Sequence, residues 1–159
     1  MLFLIRWISV KECSSKITPF VFSAHADKII KWYSLPSKTD KEAKKSVNIV
    51  TTDKGFIRKV EGLHSTFEKV RKRGVRIRIA APITKENRKT VEGLKGIVEV
   101  KHNDKVNSRY VTVDGTHMVF MLLNDKDVHP SYDLGVWVKT PYFTSAIDSM
   151  FDQLWNSQK

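Results

Sequence analysis

The succession of a strand, a helix and a second strand in the first half of the chain most constrains its fold. The segment VNIVTT (47–52) is rich in β-branched residues, as a buried strand should be. Apolar residues then recur every three or four positions from 57 to 70, which predicts an amphipathic helix that Gly74 ends. In VRIRIAA (75–81), apolar residues alternate with arginines, which predicts a strand with one polar face.

The second half of the chain continues with strands and closes on a helix. A helix that Thr84 can cap and a strand (97–102) come first. Two strands, RYVTV and HMVFMLL, flank an Asp-Gly pair, which is a strong hairpin signal. A last strand, LGVWV, precedes Thr140 and Pro141, the N-cap and first-turn proline of the closing helix. The order from Val47 is β-α-β-α-β-β-β-α, which predicts an α/β fold with a mixed β-sheet flanked by helices.

The length of the chain suits one domain. It has 159 residues, of which 41% are hydrophobic, enough for one core and too few for two ordinary domains. Residues 1–36 differ from the rest in their scattered aromatic patches, so we treat them as an N-terminal extension of uncertain structure and 37–159 as the domain. The capping box TDKE (39–42) predicts a short helix through about Ser46.

The closing helix is predicted to carry one strongly apolar face. Core packing is the main interpretation of this face, and the alternative is that part of it forms the seam of a homodimer. The residues are Phe143, Ile147, Met150, Phe151, Leu154 and Trp155.

The charge balance favours polyanionic partners. Lys and Arg number 28 against 17 Asp and Glu, which gives a net charge of +11. Much of the excess lies in two basic stretches, 68–78 and 85–90. No aromatic residues interleave with the charges from Lys69 to Arg78, which indicates a duplex-backbone contact rather than stacking on single strands. A solvated helix face with its flanks is an equally good interpretation. The candidate phosphate contacts are Lys69, Arg71, Lys72, Arg73, Arg76 and Arg78.

Cysteine usage and hydropathy give expectations about compartment and cofactors. The single cysteine, Cys13, excludes an internal disulfide framework, and no Cys/His cluster has metal-ligand spacing, so we expect a reducing cytoplasm and no cofactor. Arg6 interrupts the apolar start of the chain, which therefore does not resemble a signal peptide. No run approaches the roughly 20 apolar residues of a membrane helix. We expect no membrane partner.

Residues 107–124 resemble the motif of the phospholipase D superfamily, H-x-K-x4-D-x6-G-S-x-N. Aligning the aspartate of the motif on Asp114 places Asn107 at the histidine and Arg109 at the lysine. Asn124 then falls on the terminal asparagine, and Met-Leu replaces the Gly-Ser pair. The resemblance extends over about residues 47–155 and includes the order of the elements. It implies a phospholipase D-like half.

The changed motif letters bear on the chemistry that the resemblance implies. In the superfamily the histidine attacks phosphorus, and the amide of Asn107 is not such a nucleophile. None of the other histidines starts an H-x-K pattern, so a surface position is the favoured interpretation for each. Arg109 keeps a planar fork of donors suited to phosphate or carboxylate. We therefore expect binding without catalysis, and no enzyme.

The position of a binding pocket follows from the strand order. In open α/β sheets ligands lie beyond the carboxyl ends of the strands, where the first predicted strand ends. The alternative is an ordinary hairpin, in which Asp114 and Gly115 make the turn and Arg109 pairs with a surface acid. The predicted pocket consists of Thr51, Thr52, Asn107 and Arg109, with Asp114 and Asn124 as nearby orienting groups.

Four further segments resemble the C-terminal sensor domain of archaeal TrmB-type transcriptional regulators. They are VNIVTTDKGFIRK, KRGVRIRIAAPIT, SRYVTVDG and DLGVWVKTPYFTSAIDSMFDQLW. The resemblance implies a small-molecule or anionic ligand and a homodimer. The residues ahead of 47 are too few for a winged helix and a linker, so a DNA contact is expected through a separate DNA-binding segment.

Three hypotheses follow from these observations. The leading one is a non-catalytic ligand-sensing and dimerisation domain of an archaeal TrmB-like transcriptional regulator in the cytoplasm. The second is a phospholipase D-like nuclease or phosphodiesterase with a variant centre around Arg109 and Asp114. The third is a basic nucleic-acid-binding module that depends on the charge of +11.

Overall fold

A computed structural model describes residues 18–23, 43–105, 107–129 and 133–158. These residues form seven strands and three helices. The strands are β1 (Thr18–Ser23), β2 (Ser46–Val50), β3 (Arg76–Ala81), β4 (Glu99–His102), β5 (Tyr110–Val113), β6 (His117–Met121) and β7 (Leu134–Lys139), and the helices are α1 (Asp53–Lys72), α2 (Arg88–Gly93) and α3 (Pro141–Ser157).

All seven strands belong to one mixed sheet in the order β1-β7-β6-β5-β2-β3-β4. Strands β2, β3 and β4 are parallel to one another, and the remaining pairings are antiparallel. The central strand β2 pairs through Ile49 with Ile79 of β3 and with Val111 of β5. The prediction of an α/β fold with a mixed sheet flanked by helices is therefore confirmed.

Helices cover both faces of the sheet. The main core lies on the face that α1 and α2 cover, where alternate residues of the central strands meet the apolar stripe of α1. The two arginines of β3 project from the opposite face, which α3 covers. A smaller apolar cluster there contains Val50, Ala80, Phe151 and Trp155.

The Asp-Gly pair makes the predicted hairpin turn between β5 and β6. Asp114 and Gly115 have φ angles of 53° and 66°, and the N–H of Thr116 donates to the carbonyl of Val113 at 3.1 Å. Two successive positive φ angles give a turn whose twist matches that of the strands. Asp114 adopts this backbone more readily than most residues because its short carboxylate can bond locally.

The side chain of Asp114 also fixes the start of the central strand. Its two carboxylate oxygens accept from the backbone N–H groups of Lys44, Lys45 and Ser46 at 2.7–2.9 Å. The donors lie just before β2 and at its first residue, where the chain enters the sheet. One residue thus joins the hairpin to the chain that enters the sheet.

Two predicted helix boundaries differ from the structure. Residues 43–45 are not helical and Ser46 already belongs to β2, so the predicted helix does not reach this point; its earlier part lies outside the described residues. Helix α2 begins at Arg88 rather than near Thr84. Thr84 is instead held by Asn87, whose side-chain oxygen accepts from the Thr84 N–H at 2.9 Å, and this bond makes a turn.

The N-terminal extension contributes an edge strand. Strand β1 pairs with β7 along its whole length, so part of 1–36 belongs to the sheet, while the division at residue 36 stays a prediction. The apolar face predicted for α3 divides: Phe151 and Trp155 are buried, whereas Phe143 and Met150 are exposed. No helix in the described part of the chain is long and apolar enough to cross a membrane.

Replacement of Asp114 tests the junction between hairpin and central strand. We expect Asp114→Ala to lower the free energy of unfolding by about 2 kcal/mol, because three N–H groups lose a charged acceptor and alanine disfavours positive φ. Asp114→Gly keeps the turn and should recover about 1 kcal/mol of that loss. Urea denaturation measures both variants. Wild-type stability in both would contradict the assigned role.

Candidate functional site

The junction between β2 and α1 lies at the edge of the sheet where β2 and β3 end, here called the carboxyl edge. Thr52 is the N-cap of α1: its hydroxyl accepts from the N–H of Gly55 at 3.0 Å and donates to Asp125 at 2.6 Å. A Cβ on Gly55 would lie 2.4 Å from the hydroxyl oxygen of Thr51. Glycine therefore allows the helix to start directly against the end of the strand.

Arg109 lies at the same edge and is buried. Its guanidinium donates to both carboxylate oxygens of Asp133, at 2.6 and 2.7 Å, and also to the carbonyl of Leu123. The partner is thus a buried acid, not the surface acid of the hairpin interpretation. Because the planar fork of donors faces groups of the protein itself, Arg109 holds the loop after β6 against the start of β5.

A second buried carboxylate joins the cluster. The side chain of Asp125 is only 2% exposed, and its Oδ2 accepts from Arg58 at 3.0 Å besides Thr52. Its Oδ1 is buried and makes no hydrogen bond with any described residue. Lys59, also buried, donates to the hydroxyl of Thr51 at 3.1 Å. Cationic and anionic groups therefore alternate beneath the N-terminus of α1.

A cleft of about 660 Å³ opens outward from this cluster. Its cationic groups, together with the positive end of the α1 dipole, favour an anion at the mouth of the cleft. Apolar side chains on its walls suit a ligand that also has an uncharged part. The lining residues are Lys54, Ile57, Arg58, Asp125, Lys126, Asp127, Val128 and His129.

The structure brings together only part of the predicted pocket. Thr51, Thr52 and Arg109 meet at the carboxyl edge, while Asn107 is exposed beside them. Asn124 accepts from the N–H of Lys126 at 3.0 Å and so shapes the loop that bounds the cleft. A ligand-binding role for these residues stays a prediction.

Asp114 does not join this group. It lies at the opposite end of β5 from Arg109, in the hairpin turn, where its carboxylate serves backbone donors. Asp114 is therefore too far along the strand to orient groups in the predicted pocket, contrary to expectation.

Sequence reasoning missed the residues that line the cleft. The aligned motif ends one residue before Asp125, and no local pattern indicates that Arg58 or His129 would come close to it. The helical periodicity of α1 does place Arg58 on the polar side of the helix, which is the only signal that the sequence offers. Among the residues that the structure describes, no group of three His, Cys, Asp or Glu could hold a metal ion.

The predicted basic residues divide into two groups. Arg76 pairs with both carboxylate oxygens of Glu99 at 2.7 and 2.8 Å, and this bond is the main reason why the pKa of Glu99 lies below its usual value. Arg78 faces α3, where it bonds to Asp152 at 2.7 Å and lies over the ring of Phe151. Both arginines are engaged within the fold.

The other predicted cations lie at the opposite edge, where β2 and β3 begin, here called the amino edge. They are exposed around the C-terminal end of α1. The structure adds two lysines to them, because the carbonyl of Lys45 accepts from the N–H of Arg76 at 3.0 Å. We define the amino-edge basic patch as Lys44, Lys45, Lys69, Arg71, Lys72 and Arg73.

Comparisons with known proteins identify the fold. No protein-family model and no curated protein sequence matches the chain. The chain is similar to the solved structure of TrmBL2, an archaeal chromatin protein, with a TM-score of 0.60 and 15% identity over 94% of this chain and 56% of that one. It thus spans little more than half of TrmBL2, whose structure is described as showing a novel mode of DNA binding.

Two other solved structures correspond to this chain over nearly their whole length. NucT from Helicobacter pylori has a TM-score of 0.58 and 14% identity, over 90% of this chain and 98% of that one. Nuc from Salmonella typhimurium, a phospholipase D family member, has a TM-score of 0.54 and 13% identity, over 89% and 97%. These likenesses show that the chain has a phospholipase D-like α/β fold.

The prediction that the chain is not an enzyme is contradicted by this finding. It rested on the asparagine at position 107, yet the chain shares the fold of a phospholipase D family member along nearly the whole of that protein. At this identity the likeness shows the fold and not an activity. An amide at one motif position is therefore too little to exclude a phosphodiester reaction.

The buried ion pair gives a stability test of the site. We expect Arg109→Ala to lower the free energy of unfolding by about 3–5 kcal/mol, because the buried carboxylate of Asp133 loses its counter-charge. Asp133→Ala should have a similar effect. The double variant should then cost less than the sum of the two, since neither charge is left alone. Strictly additive effects in urea denaturation would contradict this coupling.

Proposed function

We propose that this chain binds duplex nucleic acid through the amino-edge basic patch. The observation that carries the proposal is the collection of exposed cations from two distant segments at one edge of the sheet. Lys44 and Lys45 precede β2, whereas the other members end α1. A surface with several clustered cations attracts the phosphate backbone and releases its counterions on binding.

Three acids near the patch have hydrogen-bonding or charged partners. Glu68, which precedes Lys69, lies 3.8 Å from a ring nitrogen of His64. Asp114 is directed at the backbone N–H groups of Lys44 to Ser46, and Glu99 is bound to Arg76. The exposed cations of the patch contribute to a net charge of +11 for the chain. Long-range attraction would orient the amino edge toward a polyanion.

The likeness to TrmBL2 supports this proposal. The structure of that protein is described as showing a mode of DNA binding, and its fold corresponds to this chain over a little more than half its own length. A role in archaeal transcription regulation, with a further DNA contact on a separate segment, belongs to the same proposal. The cleft at the carboxyl edge would then serve ligand sensing, with a phosphate-bearing small molecule as the ligand.

Salt-dependent DNA binding tests the proposed surface. We expect the chain to bind duplex DNA with an affinity that falls steeply with salt, and Arg71→Ala with Lys72→Ala to reduce the log–log slope by about 2. The control is Lys85→Ala with Lys89→Ala, which removes the same charge from exposed positions near α2. Fluorescence anisotropy at several salt concentrations gives the slopes. Equal losses in both double variants would contradict a localised patch.

A second candidate function is a phosphodiesterase at the carboxyl-edge cleft. His129 lines the cleft beside Arg58, Lys54 and Lys126, so an imidazole lies among cationic groups although Asn107 replaces the motif histidine. Imidazole nitrogen can attack phosphorus and expel an alkoxide, and water can then cleave the phosphorus–nitrogen bond. The cations would stabilise the charge that develops on the phosphoryl oxygens.

Turnover of a chromogenic phosphodiester tests this second candidate. We expect His129→Ala to reduce kcat at least about a hundredfold, because the attacking group is lost. His64→Ala removes an exposed histidine on α1 and should leave turnover unchanged. Absence of turnover in the wild-type chain, or equal activity in both variants, would contradict the enzyme proposal.

A further inference from the structure

The first turn of α3 exposes two aromatic side chains. Tyr142 has 91% of its surface exposed and Phe143 has 50%. Both follow Pro141, the first residue of the helix. An exposed ring beside exposed cations is the arrangement on which proteins stack unpaired bases of nucleic acid. The position of this turn relative to the amino-edge basic patch therefore decides whether the rings can contact a bound strand.

The start of α3 lies at the amino edge of the sheet. Strand β7 ends at Lys139, which is paired with His117, the first residue of β6. The N–H of the next residue, Thr140, donates to the carbonyl of Thr116 in the hairpin turn at 2.9 Å. The same turn contains Asp114, whose carboxylate binds the backbone of the two patch lysines before β2. The hairpin turn thus joins the start of α3 to the amino-edge basic patch.

The first turn of α3 is held in one rotation about the helix axis. Thr144 is fully buried, and its N–H donates to the carbonyl of Thr140 at 2.9 Å. Tyr142 lies two residues before Thr144, which is about 200° around the helix axis, and so it faces outward. Side chains on a helix also lean toward its N-terminus. The tyrosine ring therefore extends outward and toward the amino edge.

A positive charge accompanies the ring. Lys139 is exposed and comes three residues before Tyr142. In the sheet, β6 and β5 lie between β7 and β2, so the strand spacing of about 4.8 Å places Lys139 about 14 Å from the start of β2. Lys44 and Lys45 come directly before that start. These lysines and the ring are therefore near enough to contact one nucleic-acid strand.

The ring and most of the patch lie on different faces of the sheet. Residues 69–73 end α1, which covers one face, whereas α3 covers the other. A duplex on the patch keeps its bases paired and stacked inside, so none of them can stack on a ring beyond the edge of the sheet. An unpaired extension of one strand can cross the hairpin turn, and each of its bases has a face that can stack on an aromatic ring.

We propose that the amino edge binds nucleic acid in which a single-stranded extension follows a duplex. The duplex occupies the amino-edge basic patch, Lys139 contacts a phosphate of the extension, and Tyr142 stacks on an unpaired base, with Phe143 beside it. This inference rests on the proposed nucleic-acid binding and names the form of nucleic acid that is bound. Stacking accepts every base, so the contact is independent of sequence.

Affinities for three forms of DNA test the proposal. They are a blunt duplex, the same duplex with an overhang of about six nucleotides, and a third whose overhang consists of abasic sites. The abasic overhang keeps the phosphates and lacks the bases. We expect the wild-type chain to bind the normal overhang about tenfold more tightly than the abasic one, because only the normal overhang can stack. Fluorescence anisotropy gives the affinities for overhangs of both polarities.

Variants assign the preference for unpaired bases to the ring. Tyr142→Ala should abolish it and leave the salt dependence of blunt-duplex binding unchanged, since no charge is removed. Tyr142→Phe keeps the ring and should keep the preference. The control Met150→Ala shortens another exposed side chain of α3 and should also keep it. A fluorescent base analogue in the overhang, quenched on stacking, should respond to wild-type chain and not to Tyr142→Ala.

The outcomes distinguish this inference from the proposed function on which it rests. Equal affinity of the wild-type chain for normal and abasic overhangs would overturn the inference and leave duplex binding by the patch in place. A preference that persists in Tyr142→Ala would do the same. Absence of binding to every form of DNA would contradict the proposed function, and the inference would fail with it.

Discussion

The buried ion pair between Arg109 and Asp133 determines the form of the carboxyl edge. It joins the start of β5 to the residue before β7. The hydrogen bond from Arg109 to the Leu123 carbonyl also attaches the loop after β6. A buried charge without its partner is destabilising by several kcal/mol, so the loop cannot easily leave this position. Held there, it places Asp125 against the N-cap of α1 and His129 in the cleft.

The two edges of the sheet differ in how their charged side chains are paired and exposed. At the carboxyl edge, buried acids and cations neutralise one another within the protein, and the mouth of the cleft presents cations to solvent. At the amino edge, Asp114 accepts from backbone N–H groups and Glu99 pairs with Arg76, and the cations of the basic patch are exposed. One edge is therefore suited to a small ligand or substrate, and the other to a polyanion.

Most of the fold could be predicted from the sequence because its signals are local. Three patterns show this: the alternating apolar residues in β3, the apolar stripe of α1 and the Asp-Gly turn. Each pattern depends only on residues close together in the sequence. Strand β1 escaped prediction because its pairing with β7 joins positions more than a hundred residues apart. The predicted apolar face of α3 includes residues that are not buried. The sheet contacts only one side of this helix, and Phe143 lies outside that contact.

The candidate site was less predictable, because the sequence does not show which distant residues a side chain contacts in the folded protein. The motif alignment found Arg109, but nothing in the sequence ties it to Asp133, 24 residues away. The sequence allowed two roles for Asp114, as the aspartate of the motif or as a turn residue. Its positive φ angle and the three backbone N–H groups that donate to its carboxylate support the role in the turn. The prediction that the chain is not an enzyme was wrong for a related reason. It was based on a single residue, Asn107, and not on the groups that line the cleft.

Hydrogen–deuterium exchange with and without duplex DNA tests the central claim, that the exposed charge at the amino edge makes this fold a nucleic-acid binder. We expect slower exchange on DNA binding at the end of α1 and at residues 44–46, with little change around the cleft. Protection confined to the loop at 125–129 and the start of α1 would contradict it and place the polyanion at the carboxyl edge.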